Sequence, residues 1–397
     1  MSGDGRHGDD RRARGGWAAA AFAVFACGWG GNQFTPLLVM YREAGWSVLT
    51  VDALLGAYVV GLVPGLLCAG ALSQRYGRKP VMVAGTVASL VASLLLAVGG
   101  VPAIAAGRFV TGLAVAVAMA VGSTWVTELS VRAGDSAATG TRRGALWLTV
   151  GFGLGAGVAG VLAQWGPWPW HLPYLVHAVL ALGALVPLFR LPETRGFAEP
   201  GPRFTEVRHP RFRRVVLPMA PWIFGSAGVA YAILPQLVGE RLGSWGLAYS
   251  TLLTVCTLGA GALVQPLAKR LDRPTSARGV LVGMVLMSAG LAASAVAALV
   301  RSPVVALGAA VLLGAAYGIA VISGLLELQR WVAPSRIAAL TGVYYALAYV
   351  GFLLPSVLAL LSGVASYPVL LAALVVVAAG GTAIIARHSR RHLPTLT

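Results

Sequence analysis

Apolar stretches of bilayer-spanning length recur from one end of this chain to the other, separated by short polar loops. About 20 apolar residues cross a hydrocarbon core as a helix. In lipid each backbone N–H and C=O must be paired internally, which leaves helices or closed barrels as the spanning structures. Stretches of helical length fall at 17–40, 50–73, 79–99, 103–126, 144–165 and 172–189. Six more fall at 214–238, 248–267, 279–299, 303–326, 338–361 and 366–386. The expected fold is an all-α membrane protein with twelve transmembrane helices in two six-helix bundles. Charged residues are 11% of the 397, against about 25% in a soluble domain, and the short loops exclude a large soluble domain. The 51 glycines suit helices that must approach closely with no hydrophobic force between them.

The expected organisation is a cytoplasmic tail over 1–16, a first bundle over 17–190, a central loop over 191–212, a second bundle over 213–387 and a tail over 388–397. The central loop holds Pro192, Pro200, Pro202 and Pro210 among dense arginines. The net charge of +17 would suit nucleic acid if it formed one patch, so the position of the cations decides its meaning. With the N-terminus inside, 26 of the 30 Lys and Arg fall in cytoplasmic segments, and Arg42, Arg241 and Arg301 fall outside. That asymmetry is a topology signal. It predicts a multi-pass protein of the inner (plasma) membrane with both termini cytoplasmic, a lipid bilayer as its surroundings and no nucleic-acid partner. Arg11, Arg12 and Arg14 precede an apolar run as in a signal peptide, but Asn32, Gln33 and Pro36 continue the same run, which reads as an uncleaved first helix.

Cys27, Cys68 and Cys256 lie in apolar segments with neither a disulfide framework nor metal spacing, and read as small buried thiols. The histidines, at 7, 171, 177, 209, 388 and 392, all read as lying away from the middle of a span. There is no His-Glu-x-x-His and no pair of intramembrane acids. An enzyme, a resident cofactor and a metal site are therefore not expected, and without a nucleotide-binding domain the energy source is expected to be a gradient.

The two halves echo each other. Gly70-Ala71-Leu72-Ser73-Gln74 ends the second span and Gly261-Ala262-Leu263-Val264-Gln265 ends the eighth. Glu128-Leu129 ends the fourth, with Arg143 following, and Glu327-Leu328 ends the tenth, with Arg336 following. Parallel repeats of this kind are common in transporters, with the substrate site at the repeat interface.

The stretch from Gly70 to Lys79, with Gln74, Arg75, Gly77 and Arg78, resembles the loop 2–3 signature of the major facilitator superfamily. Gln74 stands where that pattern has an acid, and an amide cannot form its salt bridge. Arg108-Phe109-Val110-Thr111-Gly112 is similar to the helix 4 signature of the same superfamily. The resemblance implies the major facilitator fold, with two six-helix domains rocking about a central cavity. In that fold helices 1, 4, 7 and 10 line the cavity. This makes Tyr231 and Tyr317 the better contact candidates among the aromatics, which also include Trp222, Phe224, Tyr344, Tyr345 and Tyr349.

Arg108 is the one cation left inside a span, where a charge costs roughly 2.5–3.5 kcal/mol on insertion scales. It lies roughly 9 Å toward the outside from the middle of its helix at 1.5 Å per residue, at a depth like that of Asn32 and Gln33. Two readings stand. Arg108 lines the cavity and attracts an anionic group, or it is structural, snorkelling outward or bonding to helix carbonyls. Asp52, at the outer end of the second span, is either a proton carrier by elimination or the cap of its own helix. At the inner ends Glu128 and Glu327, with Arg75, Arg78, Arg142, Arg143 and Arg336, form an expected cytoplasmic gate of ion pairs, Glu128 with Arg143 in particular. Solvated loop charges are the alternative. Gly151, Gly153, Gly155 and Gly157 are expected to serve helix packing. They resemble the glycine-rich helix 5 of superfamily antiporters without its Gly-Pro pair.

The expected function is secondary active transport of a small molecule by alternating access, foremost proton-coupled efflux of lipophilic or drug-like compounds, by a monomer. The alternative is an importer of a small metabolite or sugar, which Leu191-Pro192-Glu193-Thr194-Arg195-Gly196 favours by its similarity to sugar porters. A non-transporting membrane sensor or scaffold is the alternative of another class.

Overall fold

The computed structural model describes the backbone of residues 4–194, 204–332 and 334–391 and the side chains of 16–194, 206–332, 337 and 339–391. The tails beyond these limits, residues 195–203 of the central loop with Arg195 and Gly196, and the side chain of Arg336 lie outside the described residues. Among the described residues the structure is helical, and ten helices are long and apolar enough to cross a membrane. In chain order the long helices are α1 (Asp4–Asn32), α2 (Val48–Tyr76), α3 (Arg78–Val98), α4 (Val101–Arg132), α5 (Ala137–Trp165), α6 (Leu172–Leu188) and α7 (Phe212–Arg241). They continue with α8 (Gly243–Leu271), α9 (Arg278–Val300), α10 (Pro303–Gln329), α11 (Ala339–Leu361) and α12 (Tyr367–His388). The two outside the set of ten are α6, apolar but only 17 residues long, and α1, whose first turns are polar.

Local chemistry sets several boundaries that apolar runs alone place differently. The first helix ends at Asn32 rather than near 40, and the chain continues through a 3₁₀ turn at Thr35–Leu37. Pro36 lacks the N–H that would bond to the Asn32 carbonyl, and its ring clashes there. The fifth helix begins at Ala137, because the Ser136 hydroxyl accepts from the Thr139 N–H at 3.2 Å and satisfies a first-turn donor. Residues Ala118–Gly122 and Val229–Ile233 close π-helical turns inside α4 and α7. Of the three thiols, Cys27 is buried and Cys256 partly so, whereas Cys68 is exposed, contrary to the expectation of three buried thiols.

Packing divides the chain into two compact units. One comprises Met1–Phe34 and Val60–Gly201, the other Thr35–Val59 and Pro202–Thr397. In the first, α1 packs on α5, and α3 packs on α4 and α6; in the second, α7 packs on α11, and α9 packs on α10 and α12. These pairs correspond one to one along the two halves. The segment Thr35–Val59, within 17–190 by sequence, packs with the second unit. Ser356 Oγ donates to the Asp52 carbonyl at 2.8 Å, and Arg42 Nη1 to the Ala232 carbonyl at 3.0 Å.

The glycines of α5 are not equivalent. A Cβ at Gly155 would lie 2.7 Å from Trp29 Cα, against the α1 backbone, whereas one at Gly153 would meet nothing within 4 Å. Gly151 likewise faces the α1 backbone, at Phe25 and Trp29. Overpacking a tight contact costs roughly 1–3 kcal/mol. Gly155→Ala is therefore expected to lower the thermal stability of the detergent-solubilised protein and Gly153→Ala to leave it unchanged. Equal shifts for the two would rule out the close α1–α5 approach.

Candidate functional site

The buried polar residues of the first unit gather where α1 ends. Arg108 on α4 is 1% exposed, so it does not snorkel. Its Nη1 donates to the Gly31 carbonyl at 3.4 Å, and its Cζ stands 4.8 Å over the Phe34 ring. A guanidinium over an aromatic face is held by the ring quadrupole. The carbonyl bond is the one the structural reading anticipated, so part of that reading stands. Asn32 and Gln33 are both buried, which brings all three sequence candidates to one turn of the chain. The Gln33 amide, however, donates from Nε2 to Ser93 Oγ at 2.9 Å on α3.

Beyond Ser93 lies a residue that sequence reasoning missed. His177 on α6 is fully buried. Its Nδ1 is 2.5 Å from Ser93 Oγ, and its Nε2 is 2.8 Å from the Ala26 carbonyl. The expectation that every histidine lies away from the middle of a span is corrected here. A ring set a turn and a half into a 17-residue helix is enclosed by α1 and α3, against Gly30, where a Cβ would come within 2.9 Å of the imidazole. Glycine at 30 beside histidine at 177 was the available signal, but it joins positions far apart in the chain.

In the second unit Asp52 is not the cap of its own helix. Ser47 accepts from the Thr50 N–H at 3.1 Å and caps α2, so Asp52, a turn further in, does not. Asp52 is fully buried and pairs with Arg42 at 2.5 Å. Tyr231 and Tyr317 are buried among aromatic rings. Phe224 stacks on Tyr349 at 4.0 Å and on Phe352 at 5.3 Å, with Tyr231 6.2 Å from Phe352 and Tyr317 6.2 Å from Phe224.

The helix ends that the sequence places at the cytoplasmic face hold two ion-pair networks. In the first unit Arg78 bonds Glu128 through Nε and Nη2 at 3.3 and 3.1 Å and Ser73 Oγ at 2.8 Å, and Thr194 donates to the other Glu128 oxygen. The expected Glu128–Arg143 pair does not form. Arg143 instead pairs with Asp135 at 2.6 Å, in the turn just before its own helix, and lies 3.8 Å over the Trp17 ring. Arg75 lies over Tyr76, and Gly70 has open space beside it. Glu193, quoted in the motif after the sixth span but not named as a site residue, accepts from the N–H groups of Arg78 and Lys79 at 2.8 and 3.0 Å. A carboxylate there satisfies first-turn donors and complements the helix dipole. Gly77 has φ 102°, a conformation that glycine adopts without steric cost, and a Cβ there would overlap the Glu193 carboxylate.

The second unit's network is deeper. Arg211 and Glu327 are paired at 0% and 1% side-chain exposure. Arg211 also donates to the carbonyls of Arg391 at 2.7 Å and Ser389 at 3.3 Å. Arg330 bonds the second Glu327 oxygen at 2.9 Å and also pairs with Asp272. Neither Arg211, Arg330 nor Asp272 was singled out from sequence, because Arg211 reads as one arginine among the four of the central loop.

Residues 18–355 match the family model described as Major Facilitator Superfamily. A 4-hydroxybenzoate transporter of Pseudomonas aeruginosa is 34% identical over 187 residues, 45% of this chain and 39% of the relative. A gallate transporter of Pseudomonas putida is 31% identical over 160 residues, 38% of this chain and 32% of the relative. The matched stretches thus span well under half the length of these relatives. Among solved structures, a D-xylose–proton symporter superposes with a TM-score of 0.71 at 16% identity, over 95% of this chain and 97% of that one. At that identity the likeness is one of fold.

Proposed function

The chain belongs to the Major Facilitator Superfamily, and from that premise we propose that it is a transporter that carries a small organic anion, foremost an aromatic carboxylate, into the cell together with a proton. In this reading all twelve long helices cross the plasma membrane as two six-helix bundles, with both termini cytoplasmic. Arg108 is the observation that carries it. A guanidinium buried to 1% exposure in an apolar helix, beside an aromatic ring, suits a planar carboxylate, which it can grip bidentately. The relatives named for 4-hydroxybenzoate and gallate transport compounds of that class, and the fold relative is a proton symporter. Asn32 and Gln33 flank the same turn as further proposed contacts. Efflux of lipophilic compounds, the first expectation from the sequence, finds no support among these relatives, while the importer alternative does.

The test is uptake into proteoliposomes with an alkaline interior, comparing 4-hydroxybenzoate and gallate with their uncharged methyl esters. Protonophore-sensitive accumulation of the carboxylates alone is expected. Equal handling of acids and esters, or no accumulation of either, would reject the anion reading.

A further inference from the structure

One connected set of polar groups in the first unit joins Gln33, proposed above as an anion contact, to two groups that the anion chemistry does not use, Ser93 and His177. The Ala26 carbonyl can only accept, so His177 Nε2, 2.8 Å away, carries a hydrogen. Gln33 Nε2 donates to Ser93 Oγ at 2.9 Å, so the Ser93 hydrogen is directed at His177 Nδ1, 2.5 Å distant. The ring in this pattern is neutral. Gln33 Oε1 is buried with no hydrogen-bond partner, a costly condition for an amide oxygen.

The same heavy atoms accommodate a second pattern. With a proton on Nδ1, the ring donates to Ser93, the hydroxyl turns to donate to Gln33, and the amide flips so that Oε1 accepts. The cation keeps both its hydrogen bonds, and the unpaired place beside Gln33 passes from the amide oxygen to the amide nitrogen, so neither pattern has more unpaired amide groups than the other. Only one bond, Nδ1–H, forms or breaks, its proton coming from water on one face and returning to water on the other.

We propose that His177 is the group that takes up and releases the coupled proton, with Ser93 and Gln33 as a reversible relay. Its surroundings set the coupling. From α1 it meets the Ala26 carbonyl and Gly30, with Ser89 of α3 beside the same glycine, and from α3 it meets Ser93, which Gln33 also bonds. On α5 the ionisable residues Arg142 and Arg143 lie near the helix start, far along the helix. On α6 itself the other histidine, His171, precedes the helix and lies against the Ala97 carbonyl. The described carboxylates of this unit, Glu128, Asp135 and Glu193, belong to the network at the other helix ends. The fixed cation is Arg108 on α4, which holds the Gly31 carbonyl, while His177 packs against Gly30. A second positive charge here is opposed by Arg108 until an anion offsets it. Anion binding and protonation therefore favour each other, and the coupling is reciprocal.

This rests on the proton-coupled reading for its role, and the test separates the two. One proton per monovalent anion supports about tenfold accumulation for each pH unit of gradient, since each such unit is about 1.4 kcal/mol. His177→Gln preserves a donor for Ala26 and an acceptor for Ser93. It is expected to keep exchange of labelled for unlabelled 4-hydroxybenzoate, which needs no net proton movement, and to lose accumulation driven by the gradient. Ser93→Ala is expected to shift the pH profile of uptake. Accumulation by His177→Gln at the wild-type level, an unmoved profile in Ser93→Ala, or parallel loss of exchange and accumulation in both variants would overturn the proposal. Independently of any substrate, ¹⁵N-histidine NMR in lipid nanodiscs, with His177→Gln to assign the signal, should show an Nε2–H ring becoming cationic on acidification. A ring that stays neutral throughout rejects the proton site, even if the carboxylate panel fails and the transport reading falls separately.

Discussion

Replacing Arg108 with alanine is expected to abolish measurable uptake of 4-hydroxybenzoate at low concentration while leaving the protein folded. Removing one partner of a buried, hydrogen-bonded charge pair costs about 2–5 kcal/mol in binding, roughly 30- to 4,000-fold in affinity. Lysine keeps the charge but not the planar fork, so Arg108→Lys is expected to fall between wild type and alanine. The control is thermal stability. Arg108 is 1% exposed and its bond to the Gly31 carbonyl is long, at 3.4 Å. Losing an intramembrane charge of that kind removes a burial cost, so the melting temperature should hold or rise. A stability loss that parallels the loss of uptake would return Arg108 to a structural role.

The largest expected effect on stability lies at Glu327. Its alanine variant leaves Arg211, fully enclosed, without its counter-charge. Breaking such a pair costs about 3–5 kcal/mol. Glu128 occupies the matching place in the first half, but its side chain is 27% exposed and that of Arg78 15%. Partly solvated pairs contribute about 0–1 kcal/mol, so Glu128→Ala is expected to be nearly silent in the same assay. The double variant Arg211→Met with Glu327→Leu should recover most of the loss, because two apolar groups need no pairing. Thermal or denaturant unfolding in detergent measures all three. Equal destabilisation by the two glutamate variants would contradict the difference in burial.

How much of this was legible in the sequence varies with the range of the interaction. Apolar runs located the long helices because hydropathy is a local property. They missed the break after Asn32 by several residues, since the stop is set by a single missing N–H at Pro36. The echo of Glu128 at Glu327 was visible as spacing, but the partners were not. Arg143 and Arg336 looked suitable because each follows its glutamate after the next loop. The fold brings Arg78 to Glu128 from 50 residues upstream, in place of Arg143, and Arg211 to Glu327 across 116 residues. Arg108, Asn32 and Gln33 were legible because polar groups in apolar helices are rare. His177 was not, because its partners come from α1 and α3, and no window of sequence contains them together.

The carboxylate of Glu193 does for α3 what a neighbouring side chain usually does for a helix, from 115 residues away along the chain. The peptide leading out of the first half is thereby fastened to the turn at Gly77, and the two places share one fate. A change in the connecting peptide would loosen a helix start distant in sequence, and a side chain added at 77 would evict the connector. Variation in either place should thus track variation in the other, although each, taken alone, looks like an ordinary surface loop.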